Sequence, residues 1–201
     1  VFFIGLATFL IGGSLALVMT DLKRALAYST MSHLGLMMLS LGVGSWVVAI
    51  LHLVVHGLSK SLLFLCAGSV MHSTGNQTDC WSMGGLRKNM KITTYGFIIG
   101  ALSLAGIIPF AGFFSKEEIL VSMTEYVALW PLLLMIVFIG VFVSVLYITR
   151  LTVITFYGEA RSDNAASAHE SPWIMTMPLI ILSALVVMFG LILIPLPFVE
   201  G

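Results

Sequence analysis

The stretch that decides the fold runs from Trp46 to Met71 and reads WVVAILHLVVHGLSKSLLFLCAGSVM. It is longer than the roughly 20 apolar residues that an α-helix needs to cross the hydrocarbon layer of a membrane. A segment surrounded by lipid must satisfy its own backbone hydrogen bonds, so this stretch is predicted to be a transmembrane helix. It also contains His52, His56 and Lys60. Their spacing of four residues places the three side chains on one helix face.

Ionisable groups inside a membrane are costly, about 2.5–3.5 kcal/mol for a charged side chain on insertion scales, and usually have a function there. Histidine titrates near neutral pH. A ladder of His52, His56 and Lys60 is therefore interpreted as a proton path, with Lys60 gaining and losing a proton. Two alternatives remain open. Lys60 could simply bind the carbonyls of a neighbouring helix, and the histidine pair could bind zinc, although no third ligand or adjacent HExxH glutamate is present.

The composition places the whole chain in a membrane. Of its 201 residues 59% are hydrophobic and 9% are charged, with a mean hydropathy of +1.10, whereas about 25% of the residues of soluble domains are charged. The formal net charge is zero, so no nucleic-acid partner is predicted. Cys66 and Cys80 form no disulfide or metal pattern, and Cys66 is predicted to be a packing residue. The chain opens at Val1 directly in apolar sequence, and we expect it to be a piece of a longer protein.

Six apolar segments are long enough to cross a membrane, and we predict an all-α integral membrane protein with about six transmembrane helices, one of them broken. Asp21 is expected to cap the second helix and Pro172 to start the sixth. The stretch 158–171 is polar and is predicted to be a loop. The segments are Val1–Met19, Ala25–Val43, Trp46–Met71, Ile92–Phe113 with an extension to Ser122, Trp130–Tyr157 and Trp173–Ile194.

The basic residues predict the orientation of the segments. Seven of the nine fall in or beside the connections that follow the first, third and fifth segments, so these connections share the cytoplasmic or matrix side. The exceptions are Lys60 and Lys116. All four tryptophans lie at or near segment ends, as interfacial anchors do. The seven basic residues are Lys23, Arg24, Arg87, Lys88, Lys91, Arg150 and Arg161, and the tryptophans are Trp46, Trp81, Trp130 and Trp173.

The location of Lys116 is ambiguous from the sequence. An unbroken fourth helix would place it outside the membrane as a solvated residue. However, Gly106, Pro109 and Gly112 interrupt that segment, and a proline removes a helix hydrogen bond. A helix broken at membrane depth is tolerated where it lines a cavity, and it would place Lys116 inside, next to Glu117.

A polar patch marks the second segment and consists of Ser29, Thr30, Ser32 and His33. Hydrogen bonds between helices are the favoured interpretation, and the lining of a water wire is the alternative. The chain contains no dinucleotide, P-loop, CxxC or haem motif. It is therefore predicted to bind no metal or redox cofactor itself.

Four stretches carry a resemblance to a known family. They are similar, in order and spacing, to the most distal antiporter-like subunit of respiratory complex I, NADH-quinone oxidoreductase subunit L. The resemblance implies a fold of two five-helix repeats with inverted topology. This chain would hold the second repeat over residues 1–157, then a polar loop over 158–172 and an additional transmembrane helix over 173–195. The stretches are Asp21–His33, His52–Phe64 with 67–72, Met83–Lys88 and Gly112–Leu120.

The resemblance also implies roles for individual residues. His52, His56 and Lys60 match the central histidine–lysine helix of the family, and Lys116 matches the lysine of its broken helix, which implies that Lys116 is buried. His33, where the family commonly has glutamine, and Glu117, where it often has aspartate, are weaker candidates for the proton relay. The first repeat of the family, with its own intramembrane glutamate and lysine, is not in this sequence.

The implied function is proton translocation as a membrane-arm subunit of NADH-quinone oxidoreductase, with NADH, FMN, iron–sulfur clusters and quinone in partner subunits. The implied partners are other membrane-arm subunits, especially a neighbouring antiporter-like subunit, and the lipid bilayer. A bacterial inner membrane is favoured over a mitochondrial inner membrane or a thylakoid. A subunit of an Mrp-type sodium/proton antiporter or of a membrane-bound hydrogenase is the nearest alternative. A structural scaffold of a membrane arm is an alternative of another class.

Overall fold

The computed structural model describes residues 1–126 and 131–193, and within these ranges the regular structure is helical. Trp130 and Ile194, the predicted start of the fifth segment and end of the sixth, lie outside the described residues. Two short 3-10 turns, Cys80–Ser82 and Leu86–Lys88, lie between the third and fourth helices. The helices are α1 (Phe2–Val18), α2 (Leu22–Gly42), α3 (Trp46–Ser73), α4 (Lys91–Ala105), α5 (Ala111–Tyr126), α6 (Pro131–Phe156), α7 (Asp163–Ala166) and α8 (Trp173–Leu193).

Three of these helices, α3, α6 and α8, are long and apolar enough to cross a membrane, and α1 and α4 are shorter apolar helices. Helices α4 and α5 follow each other around a break and together occupy the predicted fourth segment. The predicted all-α membrane architecture with one broken helix is therefore confirmed.

Helix α2 begins at Leu22, three residues before the predicted segment. Asp21 is its N-cap and accepts a hydrogen bond of 2.9 Å from the backbone N–H of Arg24, as predicted. Partial burial acts to raise the pKa of Asp21. Hydrogen bonds from Thr78 and Arg24 outweigh that effect, so the pKa lies below its usual value. The cap therefore stays ionised at neutral pH.

The connections after α1, α3 and α6 meet at one end of the molecule. The N–H of Leu22 donates to the carbonyl of Thr78 over 2.8 Å, and the N–H of Gly85 donates to the carbonyl of Tyr157 over 3.2 Å. Arg150 donates to the carbonyl of Leu17, near the C-terminus of α1, over 2.8 Å. The prediction that these three connections share one side is confirmed, and we call this side the basic end.

Small residues let α1 and α2 approach closely. A Cβ atom on Gly35 would overlap the backbone of Phe9, and one on Gly5 would overlap the backbone of Leu39. The hydroxyl of Ser32 donates to the carbonyl of Phe9 over 2.8 Å, a hydrogen bond between helices of the kind predicted for the polar patch. Close approach through small residues is typical of helix pairs in membranes.

The break between α4 and α5 is built by glycine and proline. Helix α4 ends at Ala105, and Gly106 follows with φ +80°, a conformation that glycine adopts without a steric penalty. Pro109 lies within the connection, and α8 packs against it at Gly190, where a Cβ atom would overlap the connecting backbone. Helix α8 therefore covers the break.

The predicted loop 158–171 contains the short helix α7, whose N-cap Ser162 accepts a hydrogen bond from Ala165. Further along, Glu170 accepts hydrogen bonds of 2.7 Å from the N–H of Ile92 and 2.6 Å from the hydroxyl of Thr93. The carboxylate thus caps the N-terminus of α4, where the helix dipole favours a negative charge. The loop is attached to the basic end.

Candidate proton-transfer site

Three buried histidines from two helices form the centre of the site. Nδ1 of His33, on α2, lies 3.0 Å from Nε2 of His52, on α3. The ring of His33 also stacks on the ring of His56 with centroids 5.0 Å apart. The ladder spacing on α3 turns both of its histidines toward α2. His33, a weaker candidate from the sequence, lies between them.

His52 also connects the cluster to the broken helix. Its Nδ1 atom lies 2.9 Å from the hydroxyl of Ser115, and Ser115 precedes Lys116 on α5. In each of the two hydrogen bonds of His52 one group must donate and the other accept. A change of tautomer at His52 reverses both bonds, so this ring can carry a proton between α2 and α5.

Lys60 is buried and directed toward α2. Its ammonium donates to the carbonyl of Leu26 over 3.0 Å and also to the hydroxyl of Ser29, which in turn donates to the carbonyl of Leu26 over 2.8 Å. The predicted alternative, a lysine bound to carbonyls of a neighbouring helix, describes part of this environment. The contact with Ser29 adds a hydroxyl that can both accept and donate a proton.

Lys116 is buried as well, as the resemblance implied. It donates to the carbonyl of Leu104 over 2.6 Å, to that of Ala105 over 3.3 Å and to the hydroxyl of Ser144 over 3.0 Å. The last carbonyls of a helix have no partner within the helix, and the dipole there favours a cation. Because α4 ends at Ala105, the break itself creates the binding place for Lys116.

A cavity of about 370 Å³ lies beside Lys116, between α5 and α6. Phe113, Glu117 and Val141 are among the residues that line it. Glu117 is exposed on α5, and the structure places it in the wall of this cavity rather than in the histidine cluster. The cavity gives Lys116 a route to the protein surface.

Several buried polar atoms of the site are not saturated. Among the described residues, no protein group forms a hydrogen bond with Nε2 of His33, Nε2 of His56 or the hydroxyl of Tyr147. Buried polar groups are normally hydrogen-bonded. The two imidazole nitrogens and the tyrosine hydroxyl therefore keep the capacity to form a further hydrogen bond.

Three residues of the site were missed from the sequence, namely Ser115, Ser144 and Tyr147. The hydroxyl of Tyr147 lies beside Ser29, the partner of Lys60, whereas Ser144 binds Lys116. Both residues belong to α6, three positions apart and thus on one face. Two hydroxyls with this spacing in a largely apolar helix are a signal that sequence reading could have used.

The three histidines are not arranged as a set of metal ligands. The rings of His33 and His52 are nearly parallel, with an interplanar angle of 16°. Within residues 1–126 and 131–193, no group of three or more His, Cys, Asp or Glu side chains is arranged to hold a metal ion. The arrangement is suited to proton exchange between stacked and hydrogen-bonded rings.

The fold and the site define a polytopic membrane protein with a buried set of histidines and lysines. Residues 1–146 match the family described as NADH:quinone oxidoreductase/Mrp antiporter, TM, and the chain belongs to this family. One relative is NAD(P)H-quinone oxidoreductase subunit 5 of the chloroplast of Chaetosphaeridium globosum, 44% identical, covering 96% of this chain and 30% of the relative. Another is NADH-quinone oxidoreductase subunit L of Campylobacter jejuni, 42% identical, covering 88% of this chain and 29% of the relative.

A solved structure gives the same fold. A chain of the membrane-bound sulfane sulfur reductase, an archaeal respiratory membrane complex, superposes with a TM-score of 0.86 at 32% identity, over 94% of this chain and 31% of that chain. The two relatives are named as subunits of NAD(P)H- and NADH-quinone oxidoreductases, so the expected family is confirmed. The chain spans about a third of the length of the curated relatives it matches.

Proposed function

We propose that this chain is the central part of a proton path in a membrane-arm subunit of NADH-quinone oxidoreductase. One observation carries the proposal. Lys60 and Lys116 are both buried, and each is bound by backbone carbonyl and serine hydroxyl oxygens. The histidine cluster of α2 and α3 is joined by a hydrogen bond to Ser115, the neighbour of Lys116 on α5. Costly groups arranged in this way are typical of proton relays in membrane proteins.

The steps of the path follow from helix spacing. Ser29 and His33 are four residues apart on α2, and His56 and Lys60 are four apart on α3, so each pair is neighbouring on its own helix. The path from Lys60 thus reaches the histidine cluster along either helix. From there His52 and Ser115 lead to α5.

Lys116 follows Ser115 on α5 and marks the outward part of the proposed path. The 370 Å³ cavity beside Lys116 supplies contact with the surface. Glu117, which lines the same cavity, provides a carboxylate where protons enter or leave. We assign Glu117 this peripheral role and His33 a central one.

The membrane potential sets the free energy that proton transfer along this path must overcome. Moving one charge against the membrane potential costs about 2.3 kcal/mol per 100 mV. A conformational event in the complex must therefore change the relative proton affinities of Lys60 and Lys116 by that order. Lys116 depends on the end of α4 and on Ser144, and Lys60 depends on Leu26 and Ser29 of α2, and small helix shifts can alter these contacts between helices.

The electron transfer that drives this change belongs, in our proposal, to other subunits of the complex. NADH, FMN, iron–sulfur clusters and quinone would be held there, and this chain would contribute no redox group. Its partners would be further membrane-arm subunits, including a neighbouring antiporter-like subunit. Residues 1–157 would form one five-helix repeat, with α8 as an additional helix that covers the break.

The organism and membrane are a separate part of the proposal. A bacterial cell membrane agrees with the relative from Campylobacter jejuni, while a chloroplast relative has similar identity. In either membrane the basic end would face the side from which protons are taken up.

Sodium/proton exchange is the second candidate function, because the family description names Mrp antiporters beside NADH:quinone oxidoreductase. The two differ in what drives transport. An antiporter subunit would exchange sodium for protons without NADH, whereas a complex I subunit would pump only during NADH oxidation. Proteoliposomes with an imposed sodium gradient and no NADH separate the two functions.

The proposal is tested by single substitutions in the intact complex that contains this chain. Lys60→Ala and Lys116→Ala are expected to abolish most proton pumping per NADH oxidised, with the complex still assembled. Lys23→Ala removes a lysine that is exposed at the basic end and is the matched control, expected to pump normally. Normal pumping by both buried-lysine variants would support a scaffold instead.

A further inference from the structure

The basic end contains a second cavity, which is not part of the proposed proton path. Its volume is about 490 Å³, and it is lined by Arg87, Lys88 and Lys91 together with Tyr95 and Tyr157. All three cations are exposed. No Asp or Glu is among the described residues that line the cavity. Three positive charges around one opening form a site for an anion.

The surroundings keep these cations available. The guanidinium of Arg87 lies over the ring of Tyr157, 5.1 Å from its centroid, which orients the cation without neutralising it. The nearby carboxylate of Glu170 is bound to the backbone N–H of Ile92 and the hydroxyl of Thr93. It is therefore directed at the N-terminus of α4 and does not line the cavity.

An apolar groove lies next to this cavity on the outside of the helices. It has a volume of about 210 Å³ and lies between α4 and α6, with Ile98, Leu102, Thr149 and Val153 in its walls. Tyr157 lines both the groove and the cavity. Helix α4 begins at the basic end and α6 ends there, so the groove runs from the cations toward the middle of the membrane.

We propose that the cavity and the groove together bind an anionic phospholipid. The headgroup phosphate occupies the cavity among the three cations, and one acyl chain lies in the groove between α4 and α6. Basic pockets between transmembrane helices on the cytoplasmic or matrix side suit anionic headgroups, and each Lys or Arg contributes about 1 kcal/mol to such attraction. The apolar groove beside the cations, with Tyr157 in the walls of both spaces, favours a phospholipid over free phosphate.

The test uses the full-length protein in its complex, purified in detergent and stripped of lipid. Native mass spectrometry measures binding of phosphatidylglycerol and of phosphatidylcholine with the same acyl chains. The triple variant Arg87→Gln, Lys88→Gln, Lys91→Gln is expected to bind phosphatidylglycerol about a hundredfold more weakly, from about 1 kcal/mol per lost charge. The single variant Lys88→Gln is expected to bind it about fivefold more weakly. Lys23→Gln, with an exposed lysine on the same side, is the matched control and is expected to bind normally.

A second pair of variants tests the acyl chain. Val153→Trp fills the groove and is expected to weaken phosphatidylglycerol binding at least tenfold. Leu146→Trp changes another exposed position of α6 and is expected to have no effect. Equal binding of the two lipids by the unaltered protein, or a triple variant within twofold of it, would overturn the proposal. Full displacement by inorganic phosphate with no effect of Val153→Trp would identify a free-anion site and overturn it too.

Discussion

Nδ1 of His52 lies 2.9 Å from the hydroxyl of Ser115. This single contact joins the histidine cluster of α2 and α3 to the broken helix that carries Lys116. The side chain of His52 is bound on its other nitrogen by His33 at 3.0 Å. We assign several described residues to the proposed path. Among them, His52 alone links α3 to α5 by a hydrogen bond.

Replacement of Ser115 by alanine should slow proton transfer. Ser115→Ala removes one hydrogen bond, worth about 1 kcal/mol, which corresponds to a rate about fivefold lower. The measurement is the ratio of protons pumped to NADH oxidised in the reconstituted complex. Ser122→Ala is the control, because its hydroxyl binds the carbonyl of Ile119 on the same helix and no other group of residues 1–126 and 131–193. Equal ratios for both variants would remove Ser115 from the path.

Tyr147 offers a test that separates transport from stability. Its hydroxyl is buried beside Ser29 and forms no hydrogen bond of normal geometry with the described residues. Tyr147→Phe therefore loses at most a weak contact with Ser29 and should leave assembly and thermal stability nearly unchanged. If the hydroxyl relays protons between Ser29 and the region of Ser144, pumping should fall several-fold. A variant that pumps normally would assign Tyr147 to packing alone.

The close contact of α1 with α2 predicts a clear difference between two glycines. Gly35→Ala places a methyl group against the backbone of Phe9 and should destabilise the helix pair by about 1–3 kcal/mol. Gly68→Ala meets no atom within 4 Å and should be neutral or stabilising by up to about 1 kcal/mol. Thermal unfolding in detergent measures both. Similar midpoints for the two variants would contradict the described packing of α1 on α2.

The thiol of Cys80 predicts a pH dependence at the basic end. Burial raises its pKa to about 11, so the thiol is neutral at physiological pH, and the reactive thiolate is only about 0.1% of the population at pH 8. Alkylation should therefore rise about tenfold per pH unit from pH 8 toward pH 11. Mass spectrometry of peptides that contain Cys80 follows the reaction, and the denatured chain gives the reference rate. Rapid native alkylation at pH 8 would contradict this burial.

Much of the fold could be predicted from local sequence. The apolar length of α3, the basic residues of three connections and the cap at Asp21 all depend on near neighbours or on the membrane itself. The position of Lys116 could not be settled in this way. It depends on whether Gly106 ends α4, and that conformation is stabilised by α8 packing over the break at Gly190.

The sequence predicts which site residues share a face of one helix, but not which residues of different helices contact each other. Spacing by four residues places His52, His56 and Lys60 on one face, and the structure has them there. The spacing does not show which residues of other helices contact that face. Ser115 and Ser144 could not be identified from periodicity alone, because their contacts arise from packing between residues far apart in the chain. The contact of His33 with His52 likewise depends on the packing of α2 against α3.

The central claim is that Lys60 and Lys116 belong to one continuous proton path. A double-mutant cycle measures this directly, through the proton-to-NADH ratio of Lys60→Ala, Lys116→Ala and the double variant in the reconstituted complex. In a single path the double variant should pump no less than the more impaired single variant, because one interruption already blocks the route. Independent, multiplicative losses would show that the two lysines serve separate routes and would contradict the account.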